Sequence, residues 1–404
     1  MNTVENICPL CESNETARIL YLKIKNFDNS KLYEDLRINR CSYCGHIYNE
    51  LTPEEFKNIM DYYGEEYSMT NIHAPEETGD RPGSKNPLTL KRYEILLPII
   101  KRHVQTNARI LDVGCAMGGF LDYLKENGFN EVYGIEPVVA YVDRASKNVN
   151  NVKVGSAESV PFDDEYFDVL IMDQVLEHLY EPRKAFREAK RVLKKGGYLF
   201  IGVPDAARYR ETYFFDFYWF LLKEHIQHFD IAHLKILAES EGFNLIEFYH
   251  KKTPMMSETM TLPYLGAIFE KTVKENLSNK NEALFYLGNE MERYIDIEEK
   301  RLRARRKFIS GLKKSEREVF VWGLGREFLY LYSTTELKSI IRGLIDASPY
   351  KQENLTLDGK RICSPSVIKE ANKSSYVIIT AIAHKNAIKA SLKNMSYEGD
   401  IIEL

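Results

Sequence analysis

No apolar run in the 404 residues approaches the roughly 18 needed to cross a bilayer, so neither a spanning helix nor a membrane partner is expected. Neither sign of charge dominates: 55 Lys and Arg are interspersed with 59 Asp and Glu, a net charge of −4. That balance argues against a general binder of phosphate backbones, and a nucleic-acid partner is not expected. The opening residues, Met1 to Asn6, lack the basic region and apolar stretch of a secretory leader, and a cytoplasmic location is the expectation. Cysteine is scarce, six in all, too few for a disulfide scaffold of this length. What remains is an ordinary globular composition, 44% hydrophobic and 28% charged, in a chain long enough for two or three domains.

Four of the six cysteines fall into two knuckles, Cys8-x2-Cys11 and Cys41-x2-Cys44, separated by a polar, strand-like stretch. A two-residue gap lets the chain curl so that both sulfurs face one ion, and two such pairs supply the four thiolates a tetrahedral Zn²⁺ prefers. Disulfides or unrelated buried thiols are the alternatives. With four thiolates filling the shell, a zinc here is expected to be structural. Cys115 and Cys363 stand alone and read as small buried residues.

From Ala108 an apolar strand runs to Val113, a small-residue turn Gly114-Cys115-Ala116-Met117-Gly118-Gly119 follows, and an amphipathic helix ends near Gly128. A second strand, Glu131 to Ile135, ends at Glu136. Strand, glycine turn, helix, strand and acid form the outline of a nucleotide-type site, in which the ligand approaches the turn backbone and the carboxylate takes ribose hydroxyls. A nicotinamide dehydrogenase would read much the same to this point, but its G-x-G-x-x-G fingerprint is absent.

The segments that follow are Gly155-Ser-Ala-Glu-Ser-Val-Pro-Phe162, Phe167-Asp-Val-Leu-Ile-Met-Asp-Gln-Val-Leu-Glu-His-Leu179 and Val192-Leu-Lys-Lys-Gly-Gly-Tyr-Leu-Phe-Ile201. Their order resembles class I S-adenosylmethionine-dependent methyltransferases over roughly Leu90 to Phe248. The resemblance implies that Asp112 and Gly114 hold the methionine end of S-adenosylmethionine and that Glu136 holds its ribose. Ala157 and Glu158 would lie beside adenine, and Asp173 with Gln174 would face the sulfonium, with Cys115, Gly118 and Pro137 completing the contacts. His178 is a candidate catalytic residue or a turn-stabilising one.

Most of the chain, with its cysteine-rich start, class I core and C-terminal α/β domain, resembles the zinc-containing C-methyltransferases that act on nucleotide-linked 4-keto deoxysugars. Lys223-Glu-His-Ile-Gln-His-Phe229 is similar to that family's Tyr-x-Glu-His segment ending in an aromatic, with Leu222 standing where the family has tyrosine. The resemblance makes His225 the base that removes the proton beside the ketone, Glu224 the residue that orients it, and Tyr67 an active-site tyrosine. A neutral imidazole suits the task because carbon methylation needs an enolate. His225, His228 and His233 together also leave a metal site open. Methyl transfer to oxygen or nitrogen, and a zinc-ribbon nucleic-acid binder, are the competing functions.

The expected fold class is α/β: a zinc-binding domain over 1–78, a Rossmann-like methyltransferase core over 79–250, a helical connector over 251–314 and a Rossmann-like domain over 315–404. Within the connector, Asn289 to Arg306 reads as a charged, solvated helix. In the last domain, Val319 to Trp322, Gly323-Leu324-Gly325, a helix, Ile341 to Ile345 and Asp346 repeat the earlier pattern. No third glycine closes the motif, which reads as a Rossmann-like half without a dinucleotide site, and the family resemblance implies that its turn and Arg326 suit the phosphates of a nucleotide sugar.

Overall fold

The computed structural model describes residues 7–28, 30, 35–64, 82–212, 217–254, 261–272, 286–371 and 374–404. The chain divides into two compact units, one of Met1–Leu20, Arg37–Phe214 and Phe220–Tyr294, the other of Tyr21–Leu36, Phe215–Trp219 and Ile295–Leu404. These boundaries differ from four consecutive domains, because short segments are traded between the units.

Near the N-terminus lie β1 (Thr16–Lys23), β2 (Asp35–Cys41) and β3 (Ile47–Asn49). The core of the first unit follows with β4 (Ile110–Val113), β5 (Val132–Glu136), β6 (Val152–Val154), β7 (Phe167–Asp173) and β8 (Leu193–Pro204). Next come the two-residue β9 (Gln227–His228), then β10 (Phe243–Pro254) and β11 (Thr261–Lys271). The seven-stranded sheet has the order β10-β11-β8-β7-β4-β5-β6, and β9 joins β3 at the end of the small sheet β1-β2-β3-β9.

Strands β4, β5, β7 and β8 pair in parallel. Their near-continuous apolar character follows, since a central parallel strand is covered on both faces. The helix Pro182–Val192 shows how one face is closed. Proline opens it at a position needing no N–H, and Ala185, Phe186, Ala189 and Val192 recur at helical spacing and are buried. Truncating the fully buried Phe186 to alanine would cost about 3–5 kcal/mol. The order of strands reverses between β5 and β7 on either side of β4, and such a switch point opens a crevice at the carboxyl ends of the strands.

Two sequence expectations fail here. Residues 251–314 are not all helical connector: β10 and β11 form an antiparallel hairpin, and β11 pairs with β8, so the core sheet continues to Lys271, past 250. The apolar run Leu262 to Phe269 is buried and strand-forming, and its charged flanks hid it. The helix expected around Asn289 to Arg306 exists, as Tyr286–Lys313, but it is not solvated all round. Leu287, Met291, Ile295, Leu302 and Ile309 form a buried stripe along it.

The second unit holds β12 (Val319–Trp322), β13 (Ile341–Ile345), β14 (Thr356–Leu357), β15 (Lys360–Cys363), β16 (Tyr376–Ile379) and β17 (Asp400–Glu403), in the order β14-β15-β13-β12-β16-β17. All pairs are parallel except β14 with β15. No helix among the described residues is long and apolar enough to cross a membrane.

Candidate active site

The four knuckle cysteines converge. Cys8 and Cys44 lie with sulfurs 3.6 Å apart, as do Cys11 and Cys41, and all four are free thiols. Metal–sulfur bonds of ~2.3 Å in a tetrahedron give an edge of about 3.8 Å, so the spacing fits a four-thiolate ion. Mutual hydrogen bonding, first from Cys11, holds Cys41 far below the usual thiol range. The knuckles are anchored to the core: the His233 ring donates to the Cys44 carbonyl at 2.8 Å, and Arg183 Nε donates to the Leu10 carbonyl at 2.9 Å.

The crevice is built on β4, β5 and β7. Gly114 follows β4 at φ +73°, where any side chain is strained, and a Cβ there would sit 2.7 Å from Val175. A second backbone crosses this turn: the Gly119 N–H donates to the Gly83 carbonyl at 2.8 Å. A Cβ on Gly119 would meet that oxygen at 2.5 Å. Sequence reasoning missed this strap, although Pro82-Gly83 is a turn signal. Gly118 caps the helix Gly119–Glu126. The Cys115 side chain leaves the crevice for the core and packs on Gly134, so only its backbone belongs to the turn.

Glu136 ends β5 with one carboxylate oxygen accepting from the Ala116 N–H and the other from the Val138 N–H, both at 3.0 Å. Burial pushes its pKa up to about 7 against those two bonds. Asp112, also buried, is raised well above the carboxylate range by burial, then by the charges of Asp173 and Glu136. Pro137 is exposed beside Glu136. Ala157 is buried, and Glu158 accepts from the Glu181 N–H at 3.3 Å.

Asp173 is held from two sides, by Arg92 Nε at 3.2 Å and by the Tyr264 hydroxyl at 2.9 Å. Gln174 takes φ +58° and donates its N–H to the Gly202 carbonyl, and its side-chain Nε2 is buried without a partner among the described residues. A strained residue carrying an unsatisfied amide at the end of a central strand is the mark of a ligand contact.

The turn Leu176–His178 follows Val175. His178 Nδ1 donates to the Glu224 carbonyl at 2.7 Å, and His225 Nδ1 donates to the Phe220 carbonyl at 3.3 Å. The two rings meet at 5.1 Å. Glu224 thus meets His178 through its main chain. Glu177, unmarked by the sequence reading, lies close to both rings at 2% exposure, its carboxylate oxygens accepting no hydrogen bond among the described residues. Burial raises it to about 8. The three offer ligating atoms within 4.8 Å of one another.

The segment carrying His225 is clamped: Asn49 Nδ2 donates to the carbonyls of Leu222 and His225, and Lys223 reaches Glu55 at 2.6 Å. The histidine trio suggested by sequence does not form. His228 is buried against the Tyr209 hydroxyl and held down at about pKa 3 by burial, while His233 is bound by Asp230. Tyr67 lies outside the described residues.

Residues 89–247 match the model of a methyltransferase-domain family. The chain is 32% identical over 148 residues to an uncharacterized protein of Methanocaldococcus jannaschii, covering 37% of this chain and 62% of that one. It is 38% identical over 115 residues to an uncharacterized methyltransferase of Schizosaccharomyces pombe, covering 24% and 40%. The chain thus spans less than two thirds of either relative. A solved S-adenosylmethionine-dependent methyltransferase of Methanosarcina mazei matches with TM-score 0.38 and 23% identity, over 44% of this chain and 98% of that one. Over residues 89–247 the chain is thus similar to methyltransferase domains.

Proposed function

We propose that the chain transfers a methyl group from S-adenosylmethionine to a carbon of a nucleotide-linked keto deoxysugar. The observation that carries this is the pairing of His225 with His178, whose turn follows the Val175 that packs over Gly114, so that two imidazoles stand near the crevice. The crevice fits the cofactor: Gly114 leaves room that a Cβ would fill, and the buried amide of Gln174 needs a partner. The bound cofactor supplies an electrophilic methyl group. Asp112 and Gly114 take its methionine end, Glu136 its ribose, Ala157 and Glu158 its adenine, and Gln174 the sulfonium side. Asp173, tied to Arg92 and Tyr264, fixes the end of β7.

His225 removes the proton beside the ketone. Its Nδ1 donates to a main-chain carbonyl, which fixes the tautomer and puts the basic lone pair on Nε2. Positioning and exclusion of water supply the acceleration. The four cysteines hold a structural zinc. Leu222 offers no hydroxyl to an enolate oxygen, which favours a second reading, transfer to a sugar hydroxyl with the same base.

Incubation with labelled cofactor and a panel of nucleotide sugars, with the methyl located by NMR, tests the proposal. The expected product carries the label on a carbon next to the ketone. Label on oxygen supports the second reading, and no transfer to any sugar sinks both.

A further inference from the structure

We propose that Glu177, His178 and His225 form a binding site for a divalent transition-metal ion, through one carboxylate oxygen and two imidazole nitrogens. This site is separate from the four-cysteine centre. Two imidazoles and one carboxylate leave coordination positions open, and this donor set suits zinc, iron, cobalt or nickel better than magnesium or calcium.

Three observations carry the inference. Donor atoms no more than 4.8 Å apart enclose a point within about 2.8 Å of each, so shifts of about 0.7 Å bring all three to bonds of ~2.0–2.2 Å. Both imidazoles donate Nδ1–H to main-chain carbonyls, of Glu224 and Phe220. Metal-bound histidines are held this way, with the outer N–H fixed and the other nitrogen aimed at the ion. His178 Nε2 accordingly faces Glu177 Oε1 at 3.8 Å. Finally, Glu177 is buried and neither of its oxygens accepts a hydrogen bond among the described residues. Ionising a buried carboxyl so placed is costly unless a cation or donor meets it.

An ion here occupies the nitrogen that the proposed mechanism needs as a base, so metal binding would slow methyl transfer. That consequence rests on the reading of His225 as base; the site does not.

The test uses the full chain with its cysteine centre first loaded with one equivalent of Zn²⁺, without cofactor or sugar. Titration with Co²⁺ is followed by visible absorption and by metal analysis. A second equivalent is expected, with ligand-field bands and no thiolate-to-cobalt charge transfer. Glu177→Gln should weaken the second site more than about tenfold, at least the loss expected from an outer-shell partner of a metal ligand. His178→Gln should do the same and guards against a folding defect in the first variant. Absence of a second equivalent, or unchanged affinity in both variants, overturns the site. If the second ion binds and methyl transfer is not slowed, the site stands and His225 is not the base.

Discussion

The seven-stranded and six-stranded sheets of this protein carry the same local design and finish it differently. In the first unit β4, a glycine turn, a helix and β5 end on Glu136; in the second β12, a glycine turn, a helix and β13 end on Asp346. Each acid accepts from an N–H of its own turn, Ala116 or Leu324, and from the residue two positions on, Val138 or Ser348. The first turn glycine takes positive φ in both, and a Cβ would strike Val175 in one and Ala381 in the other.

The difference lies in what fills the acid and the turn. Glu136 meets only main-chain donors in these contacts and is raised to about 7 by burial. Asp346 is bound by Lys351 Nζ at 2.9 Å, and the same ammonium donates to the Leu324 carbonyl. Where the first turn continues Gly118-Gly119, the second continues Arg326-Glu327, and the Glu327 carboxylate lies 2.7 Å from where a Gly325 Cβ would be. Glu327 thus stands in the turn beside Arg326, where the phosphates were expected, and burial raises its pKa. In these contacts the first acid meets main-chain donors alone, and the second is met by a lysine.

The largest effect separating the units should come from the metal centre. Cys41→Ser removes one of four thiolates, and structural zinc contributes about 10–16 kcal/mol of apparent binding energy in small domains. We expect loss of the ion and of amide protection in β2 and β3, with β12 and β13 still protected in hydrogen exchange. Equal loss in both sheets would show that they do not differ in this dependence.

Next in size, His225→Ala should lower turnover about 10²–10⁴-fold with cofactor affinity unchanged. The wild type should exchange the proton beside the ketone with deuterated water when a non-methylating cofactor analogue is bound, and the variant should not. Exchange that persists in the variant moves the base to Tyr67 or His178.

Most of the first crevice was legible because its signals are local: apolar strands, small turn residues and one acid at a fixed interval. The second turn repeats the same local signals. Lys351 and Glu327 decide its chemistry, and nothing in a strand-turn-strand pattern reveals where their charges land. Glu177 escaped notice because it reads as one more charge in a loop, and only the fold buries it close to two histidines. The β10–β11 hairpin was hidden by Lys and Glu at its ends, and its place is fixed by pairing with β8, a contact across more than 50 residues.

The acid of the first site should also mark stability against pH. Folded Glu136 keeps its proton to about pH 7, whereas an unfolded glutamate loses it near 4.3. Between these values the folded state binds more protons, so stability falls as pH rises through the window and the loss is complete above 7. The cofactor-free protein should lose on the order of 1–3 kcal/mol from this group, and Glu136→Gln should remove that slope. An unchanged slope in the variant would assign it elsewhere.

Calorimetric titration of S-adenosylmethionine into the wild type, Glu136→Ala and Asp346→Asn tests the contrast between the two sites most directly. One site per chain is predicted, weakened by about 1–3 kcal/mol in Glu136→Ala because ribose hydroxyls lose their partner, and unchanged in Asp346→Asn. Full affinity in Glu136→Ala, or weakened binding in Asp346→Asn, would contradict it.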